Sequence, residues 1–477
     1  MIIASFCCFL LVFVLIGMAS AFKHKQTNED YLLAGQSVKP WLVALSAVAT
    51  YSSGYMFIGM IGYTYLHGLS SIWLAIGWIF GDFLTSLFIH KRLRVVSEDK
   101  NILTYPDALS RWHGTDFKAL RVTGGLITLI FLGAYAAAQF NAGSKALHAL
   151  FGWDYAAGAI IGSVIVVLYC FSGGIRASIW TDAAQGIVMF LSMGILVVAG
   201  VNASGGASAF VNALYAVSPT FMSILPHGSP LGSIAGPSLF ILGWLFAGFL
   251  VIGQPHVMVR FMSMDDPGNM SKTRAYYYFW YTLLFVLTIL VGLASRVLIP
   301  MTSNFDAELA LPTLSLKLLP EALIGLILAG IFAATMSTAD SQILSCSASL
   351  TRDVLPIKNV GYYMSKAATV LVTLIALAIA LGGNESVFDL VLVASGALGC
   401  AFAPLVAIYA LGQKPSEAVA MGMMLTGLVV MLAWRNMGLS DITYEVMPGM
   451  LAGLSVFLVA KLLGVGVRPA TASGGDD

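Results

Sequence analysis

Residues 337–341 read Ser-Thr-Ala-Asp-Ser, inside an otherwise apolar stretch from Ala322 to Leu350. Ser337, Asp340 and Ser341 stand at i, i+3 and i+4, so on a helix they share one face. Hard oxygens gathered on one face can replace the hydration shell of a monovalent cation. A charged side chain at mid-membrane costs about 2.5–3.5 kcal/mol on insertion scales, so Asp340 needs a partner or a task. A second polar stretch, Gly173 to Gln185, contains Arg176 and Asp182. Asp182 lies near the start of an expected helix, where the helix dipole favours a carboxylate. Alternatively it reaches Ser337, Asp340 and Ser341 and completes a cation site or an exit path. No His-x-x-x-His pair, phosphate-binding glycine loop or nucleophile elbow is present, so an enzyme is not expected. The five cysteines sit in apolar segments without metal or disulfide spacing.

The elements that must hold these residues are membrane helices. Apolar residues make up 58% of the 477 and charged residues 10%, against a usual charged share of about 25%. Apolar runs of about 20 residues recur from end to end, and inside lipid such runs must be helices. Thirteen spans are expected, near 2–22, 39–65, 70–90, 119–149, 155–172, 178–202, 236–258, 275–298, 321–346, 361–382, 387–411, 416–434 and 446–464. Ala19-Ser20-Ala21 has the form of a signal-peptidase site, but Lys23 and Lys25 follow the first apolar run and nothing basic precedes it. That flank favours an uncleaved span with its N-terminus outside. Lys91, Arg92, Arg94, Arg260, Lys272, Arg274, Arg352 and Lys358 then fall on the cytoplasmic side. Of the 24 lysines and arginines, only Lys145, Arg296, Lys317 and Arg435 lie near the outer face. The C-terminus is expected in the cytoplasm, in a cell (inner) membrane. The net charge of +1 is spread over many loops and does not suggest nucleic acid.

Two spans are interrupted. Span two carries a small, hydroxyl-rich centre, Ala49-Thr-Tyr-Ser-Ser-Gly54, and span seven carries Gly253-Gln254-Pro255-His256. Proline removes a donor and disturbs the turn before it. Glycine and serine also serve close helix packing in membranes. Interrupted spans at corresponding positions of two halves point to a transporter's central site. The expected organisation is a first span and loop at 1–38, repeat one at 39–202 (spans two to six), and repeat two at 203–411 (spans seven to eleven). Two further spans at 412–464 and a disordered cytoplasmic tail at 465–477 complete it.

Three stretches carry a family resemblance: Gly173-Gly174 through Trp180-Thr181-Asp182 with Gln185; Gly253-Gln254-Pro255-His256 with Arg260-Phe261-Met262; and Ala333-Ala334-Thr335-Met336-Ser337-Thr338. With them the chain resembles the sodium:solute symporter family over nearly its whole length. The resemblance implies thirteen spans, a five-plus-five inverted-repeat core and sodium-driven uptake. Its main sodium site maps onto the carbonyls of Ala49, Ser52 and Ala334 and the hydroxyls of Ser337 and Thr338. A second site, present in some members, maps onto Asp182, Ser337, Asp340 and Ser341. The chain looks most like the proline and pantothenate branches. Tyr135 matches the proline branch, but Tyr51, Tyr55, Ala247 and Val251 depart from it. Ala49-Thr50-Tyr51, Gln139-Phe140, Arg176-Ala177-Ser178 and Val251-Ile252-Gly253 match the pantothenate branch.

The expected function is sodium-coupled symport of a small carboxylate-bearing solute by alternating access. Proline or another amino acid, pantothenate and a monocarboxylate are the candidate solutes. Thr50, Ser53, Gly54, Tyr55, Tyr135, Gln139 and Gln254 are the candidate contacts. Proton coupling through Asp182 and Asp340, or a membrane solute sensor, are the alternatives. Sodium is the expected cofactor, and the partners are the solute and the lipid bilayer. No nucleic acid and no obligate protein partner are expected.

Overall fold

The computed structural model describes residues 1–20, 22, 25–227, 231–355, 360–383 and 386–469. Ala21, Lys23, Lys358 and the end of the tail, 470–477, lie outside the described residues. The helices are α1 (Ile2–Ser20), α2 (Asn28–Leu33), α3 (Pro40–Tyr51), α4 (Met60–His67), α5 (Ile72–Ser86), α6 (His90–Asp99), α7 (Tyr105–Arg111), α8 (Lys118–Phe151), α9 (Tyr155–Ala203) and α10 (Ala207–Val217). They continue as α11 (Gly232–Phe249), α12 (Pro255–Met262), α13 (Met270–Leu298), α14 (Ala310–Leu318), α15 (Glu321–Ser349), α16 (Tyr362–Gly382), α17 (Val387–Ala410), α18 (Glu417–Asn436) and α19 (Val446–Leu462). The mostly helical membrane architecture is as expected, and one short antiparallel pair joins Gln413–Pro415 to Val467–Pro469, inside the stretch expected as disordered tail. Ten stretches among the described residues are long and apolar enough to cross a bilayer.

Helix α9 runs for 49 residues, which at 1.5 Å each would be about 74 Å, far beyond a ~30 Å hydrocarbon core. Gly174 resolves this with φ +57° and ψ −139°. A Cβ on Gly174 would collide with the Tyr31 carbonyl, so only glycine fits the bend. The two arms then lie side by side: Tyr169 and Thr181 both press on Gly17 of α1.

Contacts identify two faces. The Met1 amino group pairs with Glu321 at 3.0 Å, and Lys145 with Asp306 at 3.8 Å, on the N-terminal face. Arg176 pairs with Asp30, and Lys39 with Asp265 at 3.0 Å, on the opposite face. In the most apolar window of α15 and of α17, 89% of residues are buried, against 22% in α1 and 28% in α18. Helices α15 and α17 therefore form the centre. The outer helices leave Leu11, Leu15, Ile130, Leu371, Leu374 and Leu458 exposed, an apolar mantle suited to lipid and not to water.

Candidate functional site

The site begins at the gap between α3 and α4. Helix α3 stops at Tyr51, and Ser52 adopts φ −83° and ψ 36°. The chain resumes as a π-helical turn, Tyr55–Gly59. Ser53 supports the break, because its Oγ accepts the Tyr55 N–H at 3.1 Å and the Tyr135 hydroxyl at 3.2 Å. Gly54 is required here for close approach. A Cβ on it would lie 2.7 Å from the Ala142 Cβ and 3.2 Å from the Thr335 Cγ2, so α8 and α15 could not close on the gap.

Helix α15 fills the space beside the break. Ser337 Oγ donates to the Ala49 carbonyl at 2.9 Å and lies 3.1 Å from the Ala334 carbonyl. Thr338 Oγ1 reaches the Thr50 carbonyl at 2.8 Å and the Ala334 carbonyl at 3.0 Å. Ser52 Oγ is buried with no partner. Ala49, Ala334, Ser337 and Thr338 are thus gathered, with Ser52 at the end of the same helix as Ala49, all fully buried. The donor set is neutral and all oxygen, which fits a hard monovalent cation. The hydroxyls are presently satisfied by carbonyls that such an ion would share.

One turn along α15 the chemistry changes. Asp182 lies two turns beyond the Gly174 bend and not in a first helical turn, so dipole capping does not account for it. Ser46 Oγ donates to Asp182 Oδ2 at 2.6 Å, and Ser178 Oγ to Asp340 Oδ1 at 2.9 Å. Asp182, Asp340 and Ser341 do converge, but around Arg260. Its Nη2 donates to Ser178 Oγ at 2.5 Å and to Ser341 Oγ, and lies 3.4 Å from Asp182 Oδ2 and 3.7 Å from Asp340 Oδ1. Counting Arg260 among the cytoplasmic loop charges is therefore wrong. It sits on α12 with 0% exposure, because α12 follows the break and turns inward. Arg94 is also buried, holding the Met264 carbonyl at 2.6 Å. Ser46, Ser178 and Arg260 are functional candidates that sequence reasoning missed. Their signals were present: Ser46 is four residues before Thr50, Ser178 four before Asp182, and Arg260 has only apolar neighbours from Val257 to Met262.

Thr50 joins the two clusters. Its carbonyl accepts Thr338, while its Oγ1 lies 3.0 Å from Ser341 Oγ and 3.3 Å from Asp182 Oδ2.

The expected solute contacts surround the same break. Gln139 Oε1 accepts the Gly54 N–H at 2.7 Å. Gln254 has an extended backbone between a 3-10 turn, Leu250–Gly253, and α12, and its Nε2 donates to the Ser395 carbonyl at 2.8 Å. Gln139 Nε2, Gln254 Oε1 and both His256 ring nitrogens are buried without hydrogen-bond partners. The Tyr135 and His256 rings meet edge-on at 5.8 Å. Tyr51 turns away toward Trp78, which donates to its hydroxyl, and toward Tyr281.

A cavity of about 740 Å³ opens on the N-terminal face. Phe388, Trp244 and Tyr444 line it. Tyr55 stacks on Phe388 at 5.3 Å and Trp244 on Tyr444 at 4.9 Å, so an aromatic layer separates the cavity from the break. Toward the opposite face there is a void of only about 20 Å³, beside Arg260, Tyr105 and Pro255.

The model of the sodium:solute symporter family matches residues 31–427. The high-affinity proline transporter PutP of Bacillus subtilis is 32% identical over 456 residues, covering 93% of this chain and 94% of that protein. A sodium/proline symporter of Staphylococcus aureus is 31% identical, covering 94% and 91%. Among solved structures, a Na+-coupled sialic acid symporter in a substrate-bound outward-open state superposes with a TM-score of 0.83 at 18% identity, covering 98% of this chain and 99% of that one. Mhp1, a nucleobase-cation-symport-1 family transporter, gives 0.57 at 16% identity, covering 91% and 95%.

Proposed function

The chain belongs to the sodium:solute symporter family, and on that premise we propose that it carries sodium together with a small carboxylate-bearing solute. Sodium is read as cargo held by the Ala49, Ser52 and Ala334 carbonyls and the Ser337 and Thr338 hydroxyls. The observation that carries this is the reach of Ser337 and Thr338 onto the freed carbonyls of α3, at 2.9 and 2.8 Å. Ions shared across that contact tie the broken helix to α15. Coupling follows only if one arrangement of the two holds the ion more tightly than the other.

The solute is read against Thr50, Ser53, Gly54, Tyr55, Tyr135, Gln139 and Gln254. A zwitterionic amino acid requires a donor for its carboxylate and an acceptor for its ammonium group. The unpartnered Gln139 Nε2 and Gln254 Oε1 supply one of each. Proline is the first solute to test, since two of the relatives are proline carriers. The face bearing Met1 is read as the outside, with the large cavity as its vestibule and the C-terminus in the cytoplasm. Thirteen crossings follow if α9 counts as two, α3 with α4 as one and α19 as one. The repeats are read as 39–202 and 203–411.

The energetics suffice. One charge crossing 100 mV yields about 2.3 kcal/mol, and a tenfold sodium gradient about 1.4 more. Together they hold a neutral solute at a gradient of roughly 500-fold.

The test is uptake of labelled proline, pantothenate and short monocarboxylates into proteoliposomes, with and without an inward sodium gradient at fixed pH. Sodium-driven accumulation of proline is expected. Accumulation driven equally by a proton gradient without sodium would replace sodium with the proton, and no accumulation of any solute would remove the reading.

A further inference from the structure

The charged cluster has a charge count that constrains its surroundings. Asp182, Asp340 and Arg260 are in mutual reach and fully buried. With both carboxylates ionised, they and the one guanidinium leave one net negative charge. No other cation is paired with either carboxylate among the described residues; Arg176, the next on α9, is committed to Asp30. The neutral oxygen cluster lies one helical turn away, with Thr50 bonded into both.

We propose that Arg260 is a tethered cation standing where a second metal ion would otherwise sit, and that it limits the protein to one bound sodium. The inference rests on the main sodium site proposed above. The groups that would ligate a second ion, namely the two carboxylates and the Ser341 hydroxyl, are each turned to Arg260 Nη2. A guanidinium does not lose its proton in proteins, so this charge is present in every state of the cycle. With one sodium in the neutral site, the charges of these two clusters sum to zero. With two, an uncompensated positive charge would remain among fully buried residues, which is costly.

The pairing is also incomplete in a way that serves an ion nearby. Asp182 Oδ1 has no hydrogen-bond partner, and neither do Arg260 Nε and Nη1, while Asp340 also has the Tyr169 hydroxyl beside it. A purely structural arginine–carboxylate pair commonly engages both oxygens and two nitrogens in a fork. Here Asp182 keeps an oxygen whose field is not cancelled locally. The residual charge therefore offsets the cost of placing sodium among neutral ligands.

The test counts radiolabelled sodium bound at equilibrium to purified protein in nanodiscs without solute, alongside the sodium dependence of thermal unfolding. The wild type is expected to bind one ion. Arg260→Gln makes the cluster doubly negative and is expected to bind two, with a steeper sodium dependence of its melting temperature. Asp340→Asn neutralises the cluster and is expected to weaken sodium binding about tenfold or more, equivalent to about 1.4 kcal/mol. The double variant restores one negative charge and is expected to return to one ion. Two ions on the wild type overturn the proposal, as does a folded Arg260→Gln that still binds one ion with unchanged affinity. If Arg260→Gln fails to fold, the wild-type count together with Asp340→Asn decides: one ion and a large loss of affinity uphold it, unchanged affinity in Asp340→Asn overturns it. No sodium bound to the wild type overturns the main site itself, and this inference with it.

Discussion

Two clusters lie one turn apart on α15, and they are built on opposite principles. Ser337 and Thr338 meet the end of α3 through neutral oxygens alone. Asp340 and Ser341 meet α9 and α12 through two carboxylates and a guanidinium. Neutral ligands bind a monovalent ion weakly enough for release, which a carrier requires. A buried ion cluster is the reverse: losing its guanidinium strands both carboxylates, so it resists change. On the function proposed above, the first cluster is the one that exchanges its ion and the second the one that stays. Thr50 belongs to both, so movement at the α3 break is felt in each.

The difference can be broken from the permanent side first. Asp182→Ala removes the acceptor of Ser46 and the nearer carboxylate of Arg260. Asp340 still balances Arg260, so no charge is stranded; each lost hydrogen bond to a charged group costs about 1.5–3 kcal/mol, and a large fall in melting temperature is expected with sodium absent. An unchanged melting temperature would remove the permanent role. Ser337→Ala and Thr338→Ala should act on the other axis. Each should raise the sodium needed for half-maximal uptake roughly tenfold, while lost hydrogen bonds cost only about 0.5–1.5 kcal/mol of stability. Sodium dependence unchanged in both variants would dismiss the neutral cluster as the ion site. Thr50→Val keeps the side-chain shape and removes the shared hydroxyl. Its effect is expected to be the smallest, about 1 kcal/mol in stability with a few-fold shift in sodium affinity. A change in only one of the two readouts would show that Thr50 does not connect the clusters.

Much of this was readable along the chain, for reasons that are local. Composition and run length imposed membrane helices, because a backbone in lipid must satisfy its own hydrogen bonds. Pro255 and the Ser52-Ser53-Gly54 run marked both interruptions, since each acts on the turn that contains it. The hydroxyl face of 337–341 followed from helical spacing alone. Arg260 escaped because charge counting along loops treats every basic residue as solvated. Its apolar neighbours Val259 and Phe261 were the available clue.

The primary structure thus dictated the helices, where they break and which oxygens line the breaks, all of them consequences of interactions within a few residues. Only the assembled helices decided that the guanidinium of α12 would stand between the carboxylates of α9 and α15, 78 and 80 positions away along the chain. Pairing at such separations depends on which helix surfaces pack together, and a buried charge takes whatever opposite charge that packing brings within reach.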